Sequence, residues 1–427
     1  MKINKALLLA LALLPGAAYA EDAASELEMF GSSEVVTQAA AAPAAPEDKR
    51  TLGFSGEVIS VMEDVVYSTS AGNPFNSYIV GNIMLDARLK GGVKAFANME
   101  ATYQSKARQT TSVLREVFLD FNLNRRVYFR TGKQVLQWGR CALWNPTDLI
   151  NVEKKTFTRK IGYRDGAYGV KFHAPFGTAY NIYGFLDTGS AGEDRDLGGA
   201  LKLELLTGKT EMAFSGWAKR NRRPVFGYDL SSRLGRVDIA GEVSAARRDN
   251  TRFIRDNGGT LETYRKRDEW VTKAALNLSR GFRLGNFNDR LNVGTEFFYN
   301  QTGYTKNPFR DKAAYAFSGP LALLLPAGTK AQFLLGNGLY EPNYLARYYG
   351  AVFTSVSRFI ITDMTLNMNY IRNLNDSSGV LSTGVSYKNL NDFSAGCLVN
   401  AFLGPAHSEY TFSGAKLLIQ LTAGVSF

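Results

Sequence analysis

The chain of 427 residues holds two histidines and two cysteines, so bases and soft ligands are scarce. His407 stands beside Ser408 and Glu409. A serine nucleophile needs its base within hydrogen-bond reach and a third group to orient that base. Adjacency along the chain supplies neither, and no Gly-x-Ser-x-Gly surrounds either histidine. His173 falls beside a short turn. Cys141 and Cys397 lie far apart and lack metal-ligand spacing with the histidines. A bond between the cysteines is allowed in an oxidising compartment, but spacing alone does not fix it. The glycine-rich stretches lack the strand-to-helix setting of a phosphate loop. No cofactor or metal is expected, and an enzyme is the least favoured reading.

A second chemistry, the filtering of charged solutes, is better supplied. Glu116, Asp120, Arg130 and Gln134 recur on one face of two successive segments. After them come Trp138, Gly139, Arg140 and the stretch Asn145-Pro146-Thr147-Asp148, a local turn or helix start with Thr and Asp as capping groups. Lys154, Lys155, Arg159, Lys160 and Arg164 follow, against Glu153 and Asp165. Rings of charge of this kind select ions when they line a constriction.

The elements that must position these residues are strands. Leu417, Ile419, Leu421, Ala423, Val425 and Phe427 alternate with Lys416, Gln420, Thr422, Gly424 and Ser426, with Leu418 out of phase. A period of two puts successive side chains on opposite faces. About ten residues suffice for a tilted strand to cross a bilayer. Ile79, Ile83, Leu85 and Leu89 likewise alternate with Asn82, Asp86 and Arg88. An apolar outer face and a charged inner one fit a membrane barrel with a wet or plugged lumen.

The same rhythm runs from Leu52 to the end and predicts an all-β, transmembrane antiparallel β-barrel of about eighteen strands, with sixteen to twenty allowed. The segment 303–343 is long enough to hide an extra hairpin. Tight turns alternate with long connections throughout, which places the short turns in the periplasm and the long loops outside. Many aromatics lie near strand ends, as interfacial girdles do. At the front, Lys2 and Lys5, an apolar run from Ala6 to Leu14 and the sequence Ala18-Tyr19-Ala20 read as a signal peptide over 1–20. Residues 21–50, acidic and then rich in Ala and Pro, read as a flexible periplasmic tail before a barrel over 51–427.

The net charge of +11 admits nucleic acid, anionic lipid or an anionic solute, and export argues against nucleic acid. Basic clusters such as Lys219-Arg220-Asn221-Arg222-Arg223 fall in outer loops, where lipopolysaccharide phosphates are the simplest partners.

The stretch Arg115 to Asp120, then Gly132 to Val135 with Trp138-Gly139, then Asn145-Pro146 and Asp148, resembles porin-like outer-membrane proteins of Gram-negative bacteria. These include the DUF1302 and alginate-export-like families. The resemblance implies an outer-membrane channel for passive diffusion of small hydrophilic solutes, and the basic outer loops admit anionic ones among them. The loop 139–166 is the third outer loop. In general porins that loop folds inward, which marks Glu116, Asp120, Arg130, Gln134, Trp138, Arg140, Asp148, Lys154, Lys155, Arg159 and Lys160 as constriction candidates. A homo-oligomer is compatible with this layout. The alternatives are an interaction or assembly barrel whose tail recruits a periplasmic partner and, third, a barrel hydrolase.

Overall fold

A computed structural model describes residues 51–68, 74–136, 138–151, 166–189, 191–193, 196–248, 252–265, 269–389 and 392–427. The signal-peptide and tail readings over 1–50 lie outside the described residues, as do Lys154, Lys155, Arg159 and Lys160.

The strands in chain order are β1 (Thr51–Tyr67), β2 (Phe75–Arg88), β3 (Lys94–Gln104), β4 (Gln109–Leu123), β5 (Val127–Gln134), β6 (Ala167–Phe176), β7 (Tyr180–Asp187), β8 (Gly198–Thr207), β9 (Thr210–Lys219), β10 (Val225–Leu234) and β11 (Val237–Arg247). They continue with β12 (Phe253–Asn257), β13 (Thr260–Tyr264), β14 (Trp270–Leu284), β15 (Phe287–Asn300), β16 (Tyr315–Phe317), β17 (Ala327–Gly328), β18 (Tyr348–Ser357), β19 (Met364–Asn373), β20 (Gly379–Lys388), β21 (Phe393–Leu403) and β22 (Ala415–Ser426). All but β12, β13, β16 and β17 form one 18-stranded sheet. Each of its strands pairs antiparallel with the next, and β22 closes on β1 with Val58 opposite Val425 and Met62 opposite Leu421. The barrel is therefore closed, which removes every sheet edge.

The alternation read from the sequence is the alternation of exposure. Leu421, Val425, Phe427, Ile79, Ile83, Leu201, Phe214, Phe226 and Phe297 point outward and are exposed, while Lys202, Asp229, Glu242, Asn277 and Glu296 point inward and are buried. An apolar outer band with charges turned inside is the pattern of a barrel in lipid. Leu418, the residue out of phase, faces inward and is buried. The Phe427 backbone exchanges both hydrogen bonds with Gly56, and its ring lies 5.9 Å from Phe54. No helix among the described residues is long and apolar enough to cross a membrane.

The segment 303–343 adds no strand pair to the barrel. β12 and β13 form a hairpin from another outer connection, and β16 and β17 join it in a separate four-stranded sheet. These strands have 2 to 5 residues, well short of the ~9–11 a spanning strand requires. A short helix, α1 (Lys330–Gly336), packs with them and is held at its start by a capping box of Thr329 and Gln332. Ile254, Leu261, Phe309, Phe317, Phe333, Leu334 and Leu345 form the core of this cap. Phe412, from the last outer loop, stacks on Phe309 at 4.3 Å, so that loop belongs to the cap as well.

Candidate functional site

β5 stops at Gln134, a turn earlier than its apolar pattern through Trp138 suggests. Beyond it the chain leaves the sheet, so its peptide groups need partners other than a ladder. Trp144 finds its place against Phe298 of β15, stacked at 5.4 Å and 4°, and against Tyr349 of β18. Counted around the barrel, β5 is the fifth strand and β18 the fourteenth of 18, half a circumference apart. The segment therefore crosses the lumen and docks on the far wall.

Two wall carboxylates receive its backbone. Glu242 of β11 accepts from the N–H groups of Arg140 (2.5 Å), Cys141 (2.6 Å) and Thr147 (3.0 Å), and from the Thr147 hydroxyl (2.7 Å). Glu296 of β15 accepts from the N–H groups of Ala142 (2.8 Å), Leu143 (3.2 Å) and Trp144 (2.6 Å), and from the Asn277 amide (3.1 Å). Both carboxylates are almost wholly buried. A buried carboxylate is tolerable when several N–H dipoles converge on it, and buried N–H groups outside a ladder need such an acceptor. Each side thus resolves the other's cost.

Arg140 supplies the second tie. Its guanidinium bonds to Asp229 of β10, to Glu211 of β9 and to Glu204 of β8 at 2.6 Å, with Ser231 at 3.2 Å. Lys202 reaches Asp229 at 3.3 Å and donates to the Trp138 carbonyl at 2.7 Å. The fork of an arginine suits several acceptors at once, which a lysine would not match. The three acids hold the Arg140 guanidinium well above its ordinary range despite burial. Arg140, a constriction candidate from the sequence, has its charge met by the wall and fastens the segment to it. Trp144 Nε1–H adds a bond to the Asn343 carbonyl at 3.0 Å, joining the segment to the cap.

Two glycines make room for the crossing. A Cβ on Gly139 would lie 2.3 Å from Asn145 Oδ1. A Cβ on Gly227, on the inner face of β10, would lie 2.5 Å from Ser215 Oγ and 3.1 Å from the Thr147 side chain. Asp148 and Leu149 complete the turn, and both are buried.

The wall nearer β5 carries the other candidates. A register shift opposite Asn98 and Met99 leaves Arg115 outside the ladder. Such a bulge turns two consecutive side chains inward. Arg115 pairs with Glu100 at 2.6 Å, and Glu116 accepts from the Val135 N–H at 2.8 Å, fixing where the chain leaves the sheet. Arg130 pairs with Asp120 at 2.6 Å and lies 3.7 Å over the Phe118 ring. Gln134 is fully buried and donates to the Arg130 and Gly169 carbonyls. Arg115 with Glu100 and Arg130 with Asp120 are thus neutralised pairs on this wall. Glu116, Asp120, Arg130 and Gln134, grouped from their spacing in the sequence, are neighbours on this wall. That spacing did not single out Glu242 and Glu296 as the acceptors, although inward acids on neighbouring strands were visible.

Toward the short turns, the inner faces of β10, β11, β14, β15 and β18 line an open cavity of about 730 Å³. Arg233, Asp238, Arg283, Asp289 and Asn292 line it, so the space below the crossing segment is polar.

The Ser408 hydroxyl receives Arg310, and Glu409 is bound to Tyr349 and Asn373. Cys141 is buried and free, and Cys397 is exposed and free.

No family model and no curated protein matches the sequence. Solved structures do match in fold. Pseudomonas aeruginosa OpdL is 10% identical, with 88% of this chain and 98% of that chain covered and a TM-score of 0.53. Pseudomonas aeruginosa OccK5 (OpdH) gives 10% identity, 88% and 98% coverage and a TM-score of 0.51. Pseudomonas aeruginosa OprD gives 8% identity, 88% and 95% coverage and a TM-score of 0.51. The chain thus has the closed 18-strand barrel fold of these proteins.

Proposed function

We propose that the chain is an outer-membrane porin through which small hydrophilic solutes diffuse, its lumen narrowed by the segment that follows Trp138. One observation carries this reading: a segment without regular structure is pinned across a closed barrel, on the wall opposite its origin, with a polar cavity beneath it. A barrel that served only as an anchor has no need of such a crossing. Neighbours of this fold with names of the Occ and OprD type support a channel. The finer likeness of 115–148 to DUF1302 and alginate-export-like porins agrees with a transport role.

Glu116, Asp120, Arg130, Gln134, Trp138, Arg140 and Asp148 then frame the narrow zone. Arg140, Glu242 and Glu296 set its width, and Lys154, Lys155, Arg159 and Lys160 are its candidate selectivity charges. The basic outer loops face lipopolysaccharide phosphates. Reconstitution in a planar bilayer tests the reading. The expected result is stable single-channel conductance whose ion selectivity shifts when Lys154, Lys155 and Arg159 are neutralised. Correctly folded barrel without any conductance refutes it.

A further inference from the structure

The crossing segment is fastened to one part of the wall. Its apolar side chains Leu136, Trp138, Leu149 and Ile150 pack with residues of β7 to β11. Its bonds to Arg140, Glu242 and Glu296 fall on β8 to β11 and on β15. The cluster around Trp144 continues over β18 and reaches β19 and β20 at Ile371 and Val380, near their outer ends.

The wall from β19 to β22 has an inner face of another kind. Met368, Leu421 and Val425 point outward and are exposed, so the alternate positions point inward. Asn369, Ser382 and Asn400 face one another in a row across β19, β20 and β21. Ser394 of β21 and Thr422 of β22 are also inward. These five side chains are half-buried, so they border open lumen. On the inner faces of these four strands, charge is confined to the ends, at Lys388 by the short turns and Lys416 by the outer loops. Asp, Glu, Lys and Arg are otherwise absent from it. Ser382 donates to Asn400 Oδ1 at 2.5 Å, which leaves the Asn400 N–H groups to the lumen. The side chains of Asn369, Ser394 and Thr422 make no hydrogen bond to a described residue. In the ladder, Gly396 lies between Ser386 and Thr422, and Gly424 lies opposite Ser394. Hydroxyls set beside glycines have space at their sides. The walls further round differ: β4, β5 and β8 turn Arg115, Arg130 and Lys202 inward, each against a carboxylate.

Resting on the porin reading, we propose that the passage runs along β19–β22 and that the solutes it favours are uncharged and polyhydroxylated, of the sugar-alcohol and small-saccharide class. Ser, Thr and Asn side chains both donate and accept, as a solute hydroxyl does. A polyol therefore exchanges bonds to water for bonds to the wall at little net cost. A carboxylate or ammonium of the same size meets no counter-charge there, so the water it gives up is not replaced. Arg115 and Arg130 already hold carboxylates and offer an anion little in return.

Three six-carbon probes of similar shape test this: sorbitol, gluconate and protonated 1-amino-1-deoxysorbitol. The readout is tracer uptake into liposomes carrying the full barrel, with equal KCl on both sides to collapse any potential. Sorbitol should enter roughly threefold to tenfold faster than either ion. Asn400→Asp and Asn369→Asp each place one carboxylate on this wall while keeping the shape of the side chain. Each should lower the ratio of sorbitol to amino-sorbitol entry by about threefold or more. A native barrel that passes either ion as fast as sorbitol overturns the proposal, as does an unchanged ratio in both variants. Conductance together with equal entry of all three probes sinks the neutral passage alone. Folded barrel with no conductance and no entry of any probe sinks the porin reading, and this proposal with it.

Discussion

Glu296→Gln changes one atom's worth of chemistry at the centre of the crossing. The shape of the side chain is kept, but one carboxylate oxygen becomes an NH₂ donor. In the native protein Oε1 takes the Trp144 N–H at 2.6 Å and Oε2 takes the Ala142 N–H at 2.8 Å and the Asn277 amide at 3.1 Å. Whichever way the glutamine amide turns, at least one loop N–H then faces a donor. An orphaned buried donor costs roughly 1–3 kcal/mol, and the remaining bonds lose charge assistance worth about 1 kcal/mol each. The docked segment should therefore lose about 3–5 kcal/mol. At about 1.4 kcal/mol per factor of ten, its undocked population rises by roughly a hundredfold to a few thousandfold. The backbone ladder between β14 and β15 is untouched, so barrel melting should hardly move. Single-channel recording is the assay, with more frequent large-conductance episodes and greater open-channel noise expected. A variant equal to wild type in conductance, noise and amide hydrogen exchange at 142–146 would refute the claim that these N–H groups hold the loop through Glu296.

Arg140→Ala leaves Glu204, Glu211 and Asp229 without their shared cation. Breaking a largely buried network costs ~3–5 kcal/mol, at the low end here because Glu211 remains partly wet; conductance and cation preference should both rise in salt-gradient reversal potentials. Trp144→Ala removes a fully buried ring stacked on Phe298, weakening docking by about 3–5 kcal/mol, which exchange at 142–146 would report. Asp311 in the cap is held below its ordinary value by the Lys330 ammonium, which donates to it at 2.6 Å. A depressed carboxyl stabilises the fold above its unfolded pKa and ceases to do so as pH falls through the folded one. Protease sensitivity of the cap should accordingly increase in acid, and Asp311→Asn should remove that increase.

The barrel was legible because lipid imposes one rule on every strand: apolar outward, with period two. The terminal strand shows it from Leu417 to Phe427, and its single misfit, Leu418, is an inward apolar residue that a partly plugged lumen accepts. All eighteen segments read from this rhythm correspond to separate barrel strands. The cap was not legible. β16 and β17 pair with each other over two positions, and β16 pairs over two with β13 from a different outer connection, so no periodicity develops. The crossing segment was half legible. Turn chemistry and aromatics marked the segment after Trp138, and alternation placed Glu116, Asp120, Arg130 and Gln134 inside. The role of Glu242 and Glu296 was hidden because their partners are peptide N–H groups, which every residue carries and no sequence distinguishes. These partners also lie 95 to 154 residues away along the chain.

The most direct test replaces residues 140–164 by a short Gly-Ser linker and compares single-channel conductance with that of the native barrel. The account predicts a conductance several-fold larger, nearly constant in time, from a barrel of unchanged heat stability. A conductance equal to or below the native value, from a correctly folded barrel, would contradict it.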